Sequence, residues 1–194
     1  MVDVDSNNRK ARSLSPADER FLDAVVRSGR VKRWHNRSTL HTQTVGEHTY
    51  NVLWILIHIT DNKVSPDLLR AALAHDMPEY ATGDVPKHVK DLPGVRQALE
   101  AQERVVFEQL GLSSFQESNL TGTDQILLKW ADGLDGALFC AWELKMGNKL
   151  LRNPFENYLG YLSVLKMKGG LDLPKAFAIL AHLDEVWHDE FNPF

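Results

Sequence analysis

Helix start and stop signals divide almost the whole chain, and no stretch alternates apolar and polar residues as a strand must. Ser15-Pro16-Ala17-Asp18 supplies an N-cap, a proline at the first helical position and an acid in the first turn. The helix it opens places Phe21, Leu22, Val25 and Val26 on one face, predicted to be buried, and Gly29 stops it. Thr44-Val45-Gly46-Glu47 reads as a capping box, followed by Val52, Leu53, Leu56 and Ile57 at helical spacing up to Asp61-Asn62. Ser65-Pro66 starts a third helix with Leu68, Leu69, Ala72 and Leu73 predicted on its buried side. It ends near His75-Asp76, because Pro78 disfavours helical geometry at Met77.

Residues 80 to 94, with Gly83, Pro86, Pro93 and Gly94, form an irregular connection. Further helices are predicted from Val95 to Leu110, from Asp124 to Met146, from the Asn153-Pro154 cap, and from Leu173-Pro174 to near Trp187. The expected fold class is all-α, a single compact helical bundle over residues 15–194. Residues 1–14, polar and aperiodic, are expected to form a loosely attached arm.

A net charge of −4 gives no general attraction for nucleic acid or an acidic membrane, so any affinity for phosphate must be local. Cys140 is the only cysteine, which excludes an internal disulfide framework and fits a reducing compartment. With no apolar run long enough for a membrane span, the expected location is the cytoplasm, of a cell or of an infected host.

The third helix ends on two good metal ligands, and others wait on its neighbours. His48 lies one turn into the helix opened by Thr44, and Asp132 lies within Trp130-Ala131-Asp132-Gly133-Leu134, an apolar setting where an unpaired carboxylate is costly. Two imidazoles and two carboxylates (His48, His75, Asp76, Asp132) suit Zn, Mn or Co better than Ca or Mg. His58, His182 and His188 are read as ordinary helix histidines.

Arg33-Trp34, Glu47-His48, His75-Asp76-Met77-Pro78-Glu79, Thr82-Gly83-Asp84-Val85-Pro86 and Ala131-Asp132 together resemble the HD-domain metal-dependent phosphohydrolases. Within these they look like the bacterial 5′-deoxynucleotidases and the related phage dATP triphosphohydrolases. The resemblance runs from about Arg33 to Asp132 and implies an HD-domain bundle with His48, His75, Asp76 and Asp132 as metal ligands. It further implies that Glu79 orients or deprotonates the attacking water, and that Asp84 is a second acid or an auxiliary ligand. Glu79 and Asp84 would then be able to hold a further Mg or Mn on a polyphosphate.

Arg33 suits a phosphate clamp, with Lys87 or Lys90 next in order. Trp34 either stacks on a sugar or base or folds onto the core, while His35 and His41 are possible polar neighbours of the substrate. A di-iron oxygenase would need additional histidines for a second iron, and the only spare ones in this stretch are His35, His41 and His88, which disfavours it. The intact ligand set with Glu79 argues against a mere nucleotide sensor. The expected substrate is a free deoxynucleotide rather than a polymer. A dNTP triphosphohydrolase is preferred slightly over a 5′-deoxynucleotidase acting on dNMP. Trp142, Phe155, Tyr158, Tyr161 and Trp187 exceed what one small bundle needs to bury, which with the resemblance leads to an expected homodimer or higher assembly.

Overall fold

The predicted caps Ser15, Thr44 and Ser65 close on their helices in the computed structural model, which describes residues 14–169 and 173–186. Asn153, expected as a cap, lies instead inside a helix that begins at Arg152. Ser15 and Asp18 exchange bonds at the start of α1 (Pro16–Ser28), and Thr44 and Glu47 do the same for α2 (Val45–Ile59). Ser65 caps α3 (Pro66–Ala74). The 80–94 connection is less irregular than its glycines and prolines suggest, for it holds two single-turn helices, α4 (Glu79–Thr82) and α5 (Lys87–Lys90). Pro78 and Pro86 sit at their N-caps, where a missing N–H costs nothing. Then come α6 (Val95–Gln109), α7 (Gly122–Lys145), α8 (Arg152–Gly169) and α9 (Pro174–Val186). The described residues form no strand ladder; Lys32 and Thr44 make an isolated antiparallel bridge. No described helix is long and apolar enough to cross a membrane.

The longest helix, α7, is the axis of the bundle, flanked by α8 and α2 along much of its length and by α3. Val52 and Leu56 of α2, Leu68 of α3, Leu134 of α7, and Phe155 and Leu162 of α8 are fully buried in one core. Close approach of α7 and α8 depends on Gly136: a Cβ there would lie 2.3 Å from Cζ of Tyr158.

Burial departs from the periodicity in two places. On α1 the apolar face is largely exposed, with Phe21, Leu22, Val25 and Val26 in solvent and only Ala24 and Ser28 buried. On α3, Leu73 is 59% exposed and the buried face turns instead through Leu68, Ala71, Ala72 and Ala74. Of the aromatics read as surplus, Phe155 is core and Tyr158 is packed over Gly136, while Trp142 and Tyr161 are exposed. Trp187, His188 and residues 1–13 of the expected arm lie outside the described residues.

The loop between α1 and α2 is fastened at both ends. Arg33 N–H donates to Gln43 O at 2.9 Å, and Val45 N–H donates to Val31 O at 2.9 Å. Its far tip is held by Glu143 of α7, a fully buried carboxylate that accepts from Leu40 N–H (2.8 Å), His41 N–H (2.8 Å) and Asn148 Nδ2 (2.6 Å). Arg33 and Trp34 are therefore carried by a fixed loop, and Trp34 adopts φ +59°, a left-handed backbone that costs a non-glycine residue about 1–2 kcal/mol.

Gly136→Ala should lower stability by about 1–3 kcal/mol, the usual range for overpacking, as read by chemical denaturation. Gly160→Ala, in α8 with open space around it, should be neutral or stabilising by up to about 1 kcal/mol. Equal effects at both positions would contradict the tight α7–α8 seam.

Candidate metal centre

His48 reaches the middle of the bundle from the first turns of α2 and is fully buried. His75 stands at the C-cap of α3, and Asp76 follows as the chain leaves that helix for the Pro78 turn. Asp132 comes from α7, whose backbone is buried here, but its side chain reaches outwards and is 45% exposed. The carboxylate thus lies at the rim of the core rather than within it.

The donor atoms converge. His48 Nε2 lies 3.2 Å from His75 Nε2, 3.3 Å from Asp132 Oδ1 and 3.4 Å from Asp76 Oδ2. Among the described residues, His48, His75 and Asp132 form the one group of three His, Cys, Asp or Glu side chains whose donor atoms all lie within 4.8 Å. Asp76 Oδ2 borders it, 3.5 Å from His75 Nε2, and accepts from Arg33 Nη1 at 2.7 Å.

The far side of each imidazole shows what the near side is for. His75 Nδ1 donates to the carbonyl of Ala72 at 2.7 Å, and His48 Nδ1 donates to Asp135 Oδ2 at 2.6 Å. With both Nδ1 protons committed, the two rings point Nε2 at one spot, which a metal ion can occupy once Nε2 of His48 gives up its proton. A borderline divalent ion fits this set of two imidazoles and a carboxylate, with Asp76 at hand.

The electrostatics agree. Burial and Arg33 work against a charge on His48, but Asp132, Asp135 and Asp76 outweigh them and push its pKa up to about 9. Burial likewise disfavours the charges of Asp132 and Asp76. Hydrogen bonding and attraction to His48, with Arg33, hold Asp132 well below the usual carboxylate range, and His75, Arg33 and His48 hold Asp76 below it. The point between these acids favours positive charge, which a proton or a metal ion supplies.

Glu79 behaves in the opposite way. It is buried at the start of α4, with Oε2 lacking any hydrogen-bond partner and Oε1 3.7 Å from Lys90 Nζ. Burial, then the nearby charges of Asp76 and Asp84, push its carboxyl up to about 9. Asp84 follows Gly83, whose φ of +73° turns the chain, and lies 3.9 Å from His35 Nδ1 beside a cavity of about 400 Å³ lined by both. No second group of three potential ligands forms around Glu79 and Asp84 among the described residues.

The cationic residues separate sharply. Arg33 is inside the site, 12% exposed, paired with Asp76 and 4.0 Å from Asp132. Lys90 faces Glu79, whereas Lys87 is 83% exposed and bonds Asp91 on the surface. Trp34 is folded inwards: its ring stacks on Phe139 at 5.0 Å with Tyr158 edge-on, and its Nε1 donates to Gln43 Oε1. His41 bonds Glu47 at the surface, and His58 and His182 are exposed. Residues that sequence reasoning passed over are Gln43, Asn51 and Asp135. The signal available for Asp135 was a second acid in the apolar run of α7, one turn beyond Asp132.

This helical fold is shared with solved HD-domain phosphohydrolases, and it gathers a His, His-Asp and Asp cluster at its centre. The chain belongs to the YfbR-like 5′-deoxynucleotidase family, whose model matches residues 20–169. A 5′-deoxynucleotidase of Cronobacter sakazakii is 28% identical over 148 residues, 66% of this chain and 74% of that protein. In fold, the chain is similar to the cyanophage S-2L HD phosphohydrolase DatZ, solved bound to dA and one catalytic Zn2+ ion. That match has a TM-score of 0.61 and 20% identity, covering 84% of this chain and 94% of DatZ. An HD-domain phosphohydrolase of Listeria innocua matches with a TM-score of 0.60 and 18% identity, over 87% and 96% of the two chains. The resemblance seen in the sequence and the all-helical class are both confirmed by these findings.

A metal ion ligated by His48 must displace the proton that this imidazole holds below about pH 9. Binding at neutral pH should therefore release about one proton per ion and tighten as pH rises. Calorimetry in two buffers of different ionisation enthalpy checks this, and a binding heat independent of buffer would remove His48 from the ligand set.

Proposed function

We propose that the protein is a metal-dependent 5′-deoxynucleotidase, converting a deoxynucleoside monophosphate to deoxynucleoside and phosphate. The observation that carries this reading is the scarcity of positive charge around the cluster. Among the described residues, Arg33 and Lys90 are the cations paired with its acids, and Lys87 is turned away. One arginine and one lysine suit a single phosphate group better than the several charges of a triphosphate tail. The family description and the Cronobacter relative support the same choice. The dNTP triphosphohydrolase, slightly preferred from the sequence strings alone, has looser support, a shared fold with DatZ.

In this reading His48, His75, Asp132 and Asp76 hold a divalent transition ion, Zn, Mn or Co. When bound, such an ion supplies Lewis acidity towards the phosphate and makes water a better nucleophile at neutral pH. Arg33, already fixed beside the cluster by its loop, orients the phosphate, and Lys90 neutralises charge near Glu79. Glu79 takes a proton from the attacking water at its unpartnered Oε2. Burial and the charges of Asp76 and Asp84 favour the protonated carboxyl, so Glu79 acts as base once positive charge on the cluster offsets those acids. The proton it takes can then pass to the leaving 5′-oxygen. Asp84 and His35, facing each other across their cavity, contact the sugar side of the substrate. Trp34, held from behind by Phe139, shapes the nucleoside wall rather than swinging freely onto a base.

Chromatography of products from dAMP, dATP and dGTP tests the assignment: deoxynucleoside and orthophosphate should form from dAMP, and release of intact triphosphate from dATP would overturn it. Glu79→Gln should cost about 10²–10⁴-fold in kcat with metal content unchanged, and a variant turning over normally would leave water activation to the metal alone.

The chain is also proposed to self-associate. Tyr50 and Trp54 of α2, Trp142 of α7 and Met146 just beyond its end leave exposed apolar surface, and Trp54, Trp142 and Met146 share one cleft. Light scattering at micromolar concentration should give at least a dimer, and a clean monomer would contradict it.

A further inference from the structure

Asp135 lies outside the ligand set, yet it is 2% exposed and accepts from three side chains. His48 Nδ1 (2.6 Å) and Gln43 Nε2 (2.8 Å) share its Oδ2, and Asn51 Nδ2 (2.8 Å) binds its Oδ1. Gln43, itself 3% exposed, accepts at Oε1 from the indole Nε1 of Trp34, 3.1 Å away. The connection runs from the α1–α2 loop to the metal centre through side chains alone.

Its donors and acceptors admit one arrangement. An indole N–H can only donate, so the Gln43 amide must turn its oxygen to Trp34 and its nitrogen to Asp135. An ionised carboxylate can only accept, so His48 must carry its proton on Nδ1 and present Nε2 to the cluster. Reversing the amide would set nitrogen against nitrogen at Trp34 and oxygen against oxygen at Asp135, leaving the indole N–H and the Gln43 amide without these partners. Trp34 cannot yield easily, because Phe139 and Tyr158 pack its ring.

We propose that Gln43 and Asp135 are positioning residues that tie the orientation of the metal-facing imidazole to the wall formed by Trp34. This rests on the metal and nucleoside roles given above to His48 and Trp34. One network then sets the distance between the nucleoside wall and the reacting phosphate, and a disturbance at either end reaches the other.

Two variants test it, Asp135→Asn and the near-isosteric Gln43→Met, which touches no ligand. Zinc affinity is read by chelator competition, and the Trp34 indole and His48 ring resonances by 15N NMR. Asp135→Asn should weaken zinc by about 10–100-fold, the usual loss when a partner behind a ligand is removed. It should also move the indole N–H signal of Trp34, which Asp135 does not touch. Gln43→Met should weaken zinc by about tenfold, shift the His48 ring signals and raise KM for dAMP more than it lowers kcat.

The relay is overturned if Gln43→Met binds zinc like wild type and leaves the His48 signals in place. Should Asp135→Asn fail to fold, Gln43→Met carries the test alone. If wild type binds no zinc, the metal assignment fails instead, and the coupled indole and imidazole shifts in the zinc-free protein still decide the relay.

Discussion

Burying a carboxylate inside a helical bundle is costly unless a partner meets it, and this bundle buries several within one region. Asp76 is met by Arg33, and Asp135 collects three side-chain donors, while Asp132 at the rim meets His48. Glu143 is met by two backbone N–H groups and Asn148. These needs explain why the α1–α2 loop lies where it does. Without this loop Glu143 would lose both backbone donors and Asp135 would lose Gln43. Among the described residues Glu79 is the one buried acid with an oxygen left over, and there the unmet cost appears as raised proton affinity instead.

The same arithmetic gives the site its stiffness. The loop bearing Arg33 and Trp34 is clamped by backbone bonds near both ends and by Glu143 at its tip. A guanidinium on so short a leash needs little reordering to meet a phosphate, so most of the entropy of positioning is lost on folding rather than on binding. The left-handed backbone at Trp34 belongs to this account, since a strained residue persists only where its surroundings over-determine it.

Much of this was legible in the sequence, for reasons that are local. Caps such as Thr44 with Glu47 act within one turn, and the ligand residues stand at the ends or faces of helices whose limits those caps define. What the sequence hid depends on how helices meet. Periodicity assigns α1 an apolar face, but it cannot say that Ala24 and Ser28 would be the residues the bundle buries, or that Leu73 would look outwards. Lys87 and Lys90 are equal candidates by composition. The orientation of the single turn α5 sends one to Asp91 and the other towards Glu79. Gln43 has no signature, because its role exists only once Trp34 and Asp135 lie on either side of it.

The helix α7 carries Asp132, Asp135, Phe139 and Glu143 at steps of three or four, so cluster, relay, stacking partner and loop clamp share one stripe. Each residue added or removed within that stripe would turn everything beyond it by about 100°. The Asp132 carboxylate and the Glu143 clamp would then address different sides of the bundle. A substitution along α7 disturbs one contact, whereas a change in its length between these positions disturbs all of them. A residue added in a connection, such as the two short 3₁₀ turns at Ser113–Phe115 and Glu117–Asn119, would leave the angular order of the stripe intact.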